Sequence, residues 1–119
     1  MARTLSFAGE LSWPLEDGKQ AAKTNFNLSL VYTASLQLEK VYSVTATDEV
    51  LSLPMASAKF LILQALTADI EIKLNNSTTA ITLKAGAGWL MVYNPDGAIT
   101  GVKVSTTTVP ATLKGYAFA

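Results

Sequence analysis

The chain has no cysteine and no histidine among its 119 residues. Without cysteine, disulfide stapling is excluded and the redox compartment leaves no mark on the sequence. Without histidine, the usual general base and the commonest zinc ligand are missing. Charge is scarce as well, at 15% Asp, Glu, Lys and Arg against a usual ~25%. Acidic and basic residues balance at nine each and are spread singly. No basic stripe exists to release counterions, which argues against a nucleic-acid partner. No apolar run approaches the ~18 residues of a membrane span. Met1-Ala2-Arg3-Thr4 is not followed by an apolar segment of signal-peptide length, so a soluble protein made in the cytoplasm, with no membrane partner, is expected. Helical periodicity is missing too. Gln20-Ala21-Ala22-Lys23 would make one turn, too short to stand alone, and reads as loop.

What the sequence does contain is period-two alternation. Leu5, Phe7, Gly9, Leu11 and Trp13 occupy alternate positions of a first strand that Pro14 ends. Glu16-Asp17-Gly18-Lys19 reads as a turn. From Phe26 to Ala46 the alternation runs for 21 residues, about 70 Å if it were one strand at ~3.3 Å per residue. A globule of this size has a radius of gyration near ~13–14 Å. The run must bend or fold back, near Thr33-Ala34-Ser35 or Glu39-Lys40, giving strands over 24–32 and 36–46. A short segment at Val50, Leu51 and Leu53 is closed by Pro54. Phe60-Leu61-Ile62-Leu63 is apolar without interruption, as in a central strand covered on both faces.

Two hairpins are expected next. In the first, Asn75-Asn76-Ser77-Thr78 forms the loop, Ile72 meets Ile81, Ile70 meets Leu83, and Asp69 meets Lys84 on the outer face. In the second, Asn94-Pro95-Asp96-Gly97 is a type I turn. Trp89 then faces Val102, Val92 faces Ile99, and Leu90 faces Gly101, a glycine placed to make room or to bulge the strand. With a last strand from Ala111 to Phe118, about nine strands and no helix result. The expected fold is all-β: one antiparallel β-sandwich domain over residues 1–119, of jelly-roll or other Greek-key topology.

Candidate chemistry is thin. Asp69 and Glu71 share a strand face at ~7 Å, the spacing of an inverting glycosidase pair, but Lys and Thr neighbours do not raise a carboxyl pKa. They read as a solvated strand face. Asp48-Glu49, Asn75-Asn76 and Asn94-Pro95-Asp96 offer oxygen atoms without the dense spacing of a calcium loop. Gly86-Ala87-Gly88 lacks the lysine and helix of a phosphate loop. No catalytic, cofactor or metal residue is assigned, and no enzyme activity is expected. Trp13, Trp89, Tyr32, Tyr42 and Tyr93 would serve a sugar-stacking platform, although strand periodicity favours core or subunit interface. A small carbohydrate-binding module is therefore the alternative reading. The expected interface residues are Trp89, Met91, Tyr93, Ile99 and Val102, because both strands of the second hairpin are apolar on both faces while a sandwich covers only one.

The strand leading into Trp13-Pro14-Leu15-Glu16-Asp17-Gly18, the strand Asn25-Phe26-Asn27-Leu28-Ser29-Leu30 and the block Ala58-Lys59-Phe60-Leu61-Ile62-Leu63-Gln64 follow one pattern. Ile70–Asn75, Ala80–Gly86 and Trp89-Leu90-Met91-Val92 continue it. Together they resemble the small β-sandwich virion proteins of tailed bacteriophages. The resemblance spans most of the chain as a pattern of strands and turns, with no chemical residue to carry over. It implies a structural protein of the virion, made in the bacterial host cytoplasm, in capsid decoration, head–tail joining or a tail-associated role. Its implied partners are copies of itself, as a homo-oligomer such as a trimer, and other virion proteins such as a major capsid or tail protein.

Overall fold

The computed structural model describes residues 2–13, 22–86, 88–94 and 96–119. The chain divides into two compact units, Met1–Thr33 and Ala34–Ala119, a finer division than the one domain expected from length.

The first unit is a two-stranded antiparallel ribbon of β1 (Arg3–Trp13) and β2 (Ala22–Tyr32). Its register runs from Arg3 opposite Tyr32 to Trp13 opposite Ala22. That register aligns the two alternations. Leu5/Leu30, Phe7/Leu28 and Gly9/Phe26 fall on one face, and Ser6/Ser29, Ala8/Asn27 and Glu10/Asn25 on the other. Ala22 and Lys23, expected in a loop, are strand residues because Trp13 and Ser12 give them ladder partners. Pro14, the turn at Glu16–Lys19 and residues Gln20 and Ala21 lie outside the described residues.

The second unit is an antiparallel β-sandwich of eight strands: β3 (Ser35–Tyr42), β4 (Ala46–Val50), β5 (Phe60–Ala65), β6 (Ile70–Leu74), β7 (Ile81–Leu83), β8 (Trp89–Tyr93), β9 (Val102–Thr106) and β10 (Ala111–Phe118). One sheet has the order β3-β10-β5-β8 and the other β4-β9-β6-β7. The pairs are nested: β6 with β7, β5 with β8, β4 with β9, β3 with β10. Two further ladders, β5–β10 and β6–β9, close each sheet. Only β6 to β7 is a hairpin within one sheet, and every other connection crosses between sheets.

The inner faces supply the core. Leu61, Leu63, Leu113 and Ala117 come from one sheet, and Ile70, Ile72, Leu83, Val102 and Val104 from the other, all of them buried. Each large aliphatic side chain buried this way contributes roughly 1.5–3 kcal/mol. Phe60 and Leu61 are buried on opposite faces of β5, as the uninterrupted apolar run predicted for a strand inside a sheet.

The first expected hairpin forms in the expected register, with Ile70 opposite Leu83 and Ile72 opposite Ile81, and Lys84 Nζ lies 3.1 Å from Asp69 Oδ2. The second does not form. β8 pairs with β5, while β9 lies in the other sheet between β4 and β6. The Gly97 N–H donates to the Asn94 carbonyl at 3.0 Å with Gly97 at φ 71°, while Pro95 of the expected type I turn lies outside the described residues. The chain then crosses the sandwich, and Ile99 bridges to Ala58 instead of Val92. Gly101 does not make room for Leu90, since the atom nearest an added Cβ is the Asn75 carbonyl oxygen at 4.0 Å. The expected strand 36–46 ends earlier, at Tyr42 in β3, and its last residue, Ala46, opens β4 in the other sheet. The break at 33–35 occurs where expected, but β2 and β3 do not pair.

Candidate interaction surface

β8 is an edge strand, and its odd-numbered side chains lie on the outer face of the β3-β10-β5-β8 sheet. The registers place three rows across that face: Phe118–Phe60–Tyr93, Tyr116–Ile62–Met91 and Lys114–Gln64–Trp89. Two of the three rows are apolar. The Phe60 ring sits 6.2 Å from Tyr93 and 6.1 Å from Phe118, tilted and edge-on, the arrangement aromatic quadrupoles favour. Phe60 is buried. Exposure rises along β8 toward its start, from 41% at Tyr93 to 48% at Met91 and 62% at Trp89.

Trp89, Met91 and Tyr93 therefore share one exposed apolar stripe. Ile99 and Val102 do not join it. They are 3% and 1% exposed and belong to the core, because β9 is an interior strand and not the partner of β8. The residues that extend the stripe instead are Ile62 and Tyr116. Nothing in the sequence singles them out, because their meeting with β8 depends on β5 lying between β10 and β8, which no local signal encodes.

The residues of the expected aromatic platform fall in both units. Trp13 and Tyr32 lie on the ribbon, Tyr42 is buried in the sandwich core, and Trp89 and Tyr93 share one face of β8.

Asp69 and Asp48 are committed to structure. Asp69 accepts from the Ala85 N–H at 2.9 Å and from Lys84 Nζ at 3.1 Å, and these two contacts hold its carboxyl below the usual range. A general acid needs the opposite shift. Asp48 accepts from Lys73 Nζ at 2.9 Å, which lowers its pKa in the same way, and from the Ser105 hydroxyl. Asn75 Oδ1 accepts from the Thr100 N–H and its Nδ2 donates to the Ala98 carbonyl, while Asn94 Oδ1 caps the Asp96 N–H. Each candidate calcium oxygen that the hydrogen bonds reach is thus a turn or strand anchor. No group of three or more acidic residues is gathered among the described residues. A shallow depression of about 500 Å³ lies over β4, β6 and β9, lined by Thr45, Thr47, Glu71, Lys73, Ser105 and Thr107 among others. Its Lys73 and Ser105 are already paired with Asp48.

No family model, curated protein or solved structure matches this chain. Other exposed apolar side chains of the sandwich, Val41, Val44, Val50 and Ile81, are smaller and aliphatic, whereas Trp89, Met91 and Tyr93 set three large side chains in one row on regular backbone.

Proposed function

We propose that this protein is a non-enzymatic structural component of a tailed-bacteriophage virion, in capsid decoration, head–tail joining or a tail-associated role. It acts by burying apolar β-surface against copies of itself and against a larger shell or tail protein. The observation that carries this reading is the exposed Trp89–Met91–Tyr93 stripe on a chain with little charge to keep such a stripe apart from its copies. The nested strand pairing supports the finer fold reading as well. Four pairs, each enclosing the next, roll up into two four-stranded sheets, and we read this order as a jelly roll.

The test has two arms. Mass spectrometry of purified particles should find the chain as a stoichiometric component, and light scattering of the isolated protein should show oligomers. A protein absent from particles, of single-chain mass at high micromolar concentration and retained on a glycan column, would refute assembly. It would favour a carbohydrate-binding module, for which the exposed Trp89 and Tyr93 are the available stacking groups.

A further inference from the structure

The outer edge of β8 is open, for no strand lies beyond it among the described residues. Proteins ordinarily protect such edges with charge, proline, bulges or extreme shortness, and the other three edges of this sandwich are protected. β3 presents Glu39 and Lys40. β4 presents Asp48 and Glu49, and its register shifts between Ala46 and Glu49 with Asp48 at φ 47°. β7 is three residues long and is followed by Lys84. β8 has none of these devices. Trp89-Leu90-Met91-Val92-Tyr93 contains no charge and no proline, and its register with β5 is unbroken.

The backbone of that edge is aimed by the ladder. The Ala65 N–H donates to the Gly88 carbonyl at 3.2 Å, the Asn94 N–H to the Lys59 carbonyl at 2.7 Å, and on the far side of β5 the Leu66 N–H to the Thr112 carbonyl at 2.9 Å. All three bonds follow the same alternation, in which even-numbered residues of β8 bond toward β5. Alternate residues of an antiparallel strand direct their N–H and C=O to opposite sides. Trp89, Met91 and Tyr93 therefore send both backbone groups out of the open edge, and these are the residues whose side chains form the exposed stripe.

We infer that β8 is the seam of a two-fold dimer in which it pairs antiparallel with β8 of a second copy, centred on Met91. This inference rests on the assembly reading above and names its surface. The occupant follows from self-complementarity. Hydrogen-bond alternation requires odd residues to pair with odd residues. The one register that engages all three sets Met91 opposite Met91 and Trp89 opposite Tyr93 at both ends, with about six inter-chain backbone bonds. A two-fold axis normal to the sheet keeps the stripe on the same face in both copies, so each aromatic pair meets across the seam. Leu90 and Val92 then meet on the inner side and extend the two cores toward each other. A strand without charge offers nothing to select an unlike partner, whereas it matches itself at every position. The pairing is two-fold, where resemblance implied a trimer. A five-residue seam belongs to the small, reversible class of interface, so the dimer should dissociate on dilution.

The test uses charge placed on the axis. In the full chain, Met91→Lys and Met91→Glu each set like charges directly opposite, and mixing the two sets opposite charges there. Sedimentation velocity should give twice the chain mass for the wild type at high micromolar concentration, single-chain mass for each variant alone, and twice the chain mass again for the equimolar mixture. Amide exchange on the wild type provides a readout free of mutation. The Trp89, Met91 and Tyr93 amides should be protected at high concentration and exchange rapidly on dilution, while those of Leu90 and Val92 stay protected at both. Variants that remain dimeric, or odd-residue amides that exchange rapidly in the dimer, would overturn the seam and leave assembly standing. A wild type of single-chain mass at every concentration would overturn both.

Discussion

A methyl group added at Gly115 would meet Leu63 Cδ2 at 2.9 Å and the Ile62 carbonyl oxygen at 3.3 Å. Gly115 sits in β10 between β3 and β5, opposite Leu38 on one side and Leu63 on the other. The two leucines fill the space its missing side chain leaves. One contact is with a side chain that can shift, but the other is with backbone inside a sheet, which cannot easily give. Gly115→Ala should therefore cost about 1–3 kcal/mol by overpacking. Gly101→Ala meets nothing closer than 4.0 Å and should be neutral or stabilising by up to ~1 kcal/mol through reduced freedom of the unfolded chain. Urea denaturation of the two variants checks the contrast, and equal midpoints would contradict it. A place opposite Leu90 in the expected second hairpin would give Gly101 the close-approach role. That assignment depended on a hairpin that does not form, whereas the crowding at Gly115 comes from strands far away in sequence.

The β6–β7 hairpin offers the corresponding test for an element. Ile72 is fully buried and Thr82 is exposed on the other face, opposite Glu71. Ile72→Asp places an unpaired carboxylate in the core and should cost about 4 kcal/mol or more, a large part of a typical ~5–15 kcal/mol stability. Thr82→Lys adds a charge across from a carboxylate in solvent and should stay within ~0.5 kcal/mol. Thermal unfolding of both variants measures the difference, and similar melting temperatures would refute the register. This element was legible because its information is local: two alternating runs, one polar loop and a matched charge pair fix the register within 16 residues, Asp69 to Lys84. The β8 and β9 sequences carry the same local signs around Asn94–Gly97, yet the two strands do not pair. Their partners, β5 for one and β4 with β6 for the other, are remote in sequence, and alternation reports which face a residue takes but not which sheet it joins. For the same reason the strand expected over 36–46 overruns β3, since the alternation continues to Ala46 while the chain leaves one sheet after Tyr42 and enters the other. Three of the five expected interface residues, Trp89, Met91 and Tyr93, lie exposed on one face of β8, whereas the burial of Ile99 and Val102 depends on strand order.

The two units of the molecule differ in how they can hold themselves together. The core cluster of the sandwich runs from Tyr42 to Ala117, with Leu36, Leu38, Leu53, Met55, Leu74, Leu90 and Val92 packed against it, and among the described residues it draws on none before residue 34. Two layers with a shared apolar interior are the minimum a β-domain needs, and residues 34–119 contain both layers. The chain ends of this unit are also tied to each other, with the Ala34 and Ala119 backbones exchanging hydrogen bonds at 3.3 and 2.9 Å. The ribbon has one apolar face and no second layer of its own, and an isolated two-stranded hairpin is marginal in water. Residues 34–119 expressed alone should therefore fold, giving a β-type far-ultraviolet spectrum, dispersed amide resonances and one cooperative thermal transition. Residues 1–33 alone should show none of these. A fragment 34–119 that is compact but melts gradually and binds hydrophobic dye, as a molten globule does, would mean that the sandwich core as drawn is not sufficient. Stability would then have to be sought in the ribbon or in a second copy of the chain.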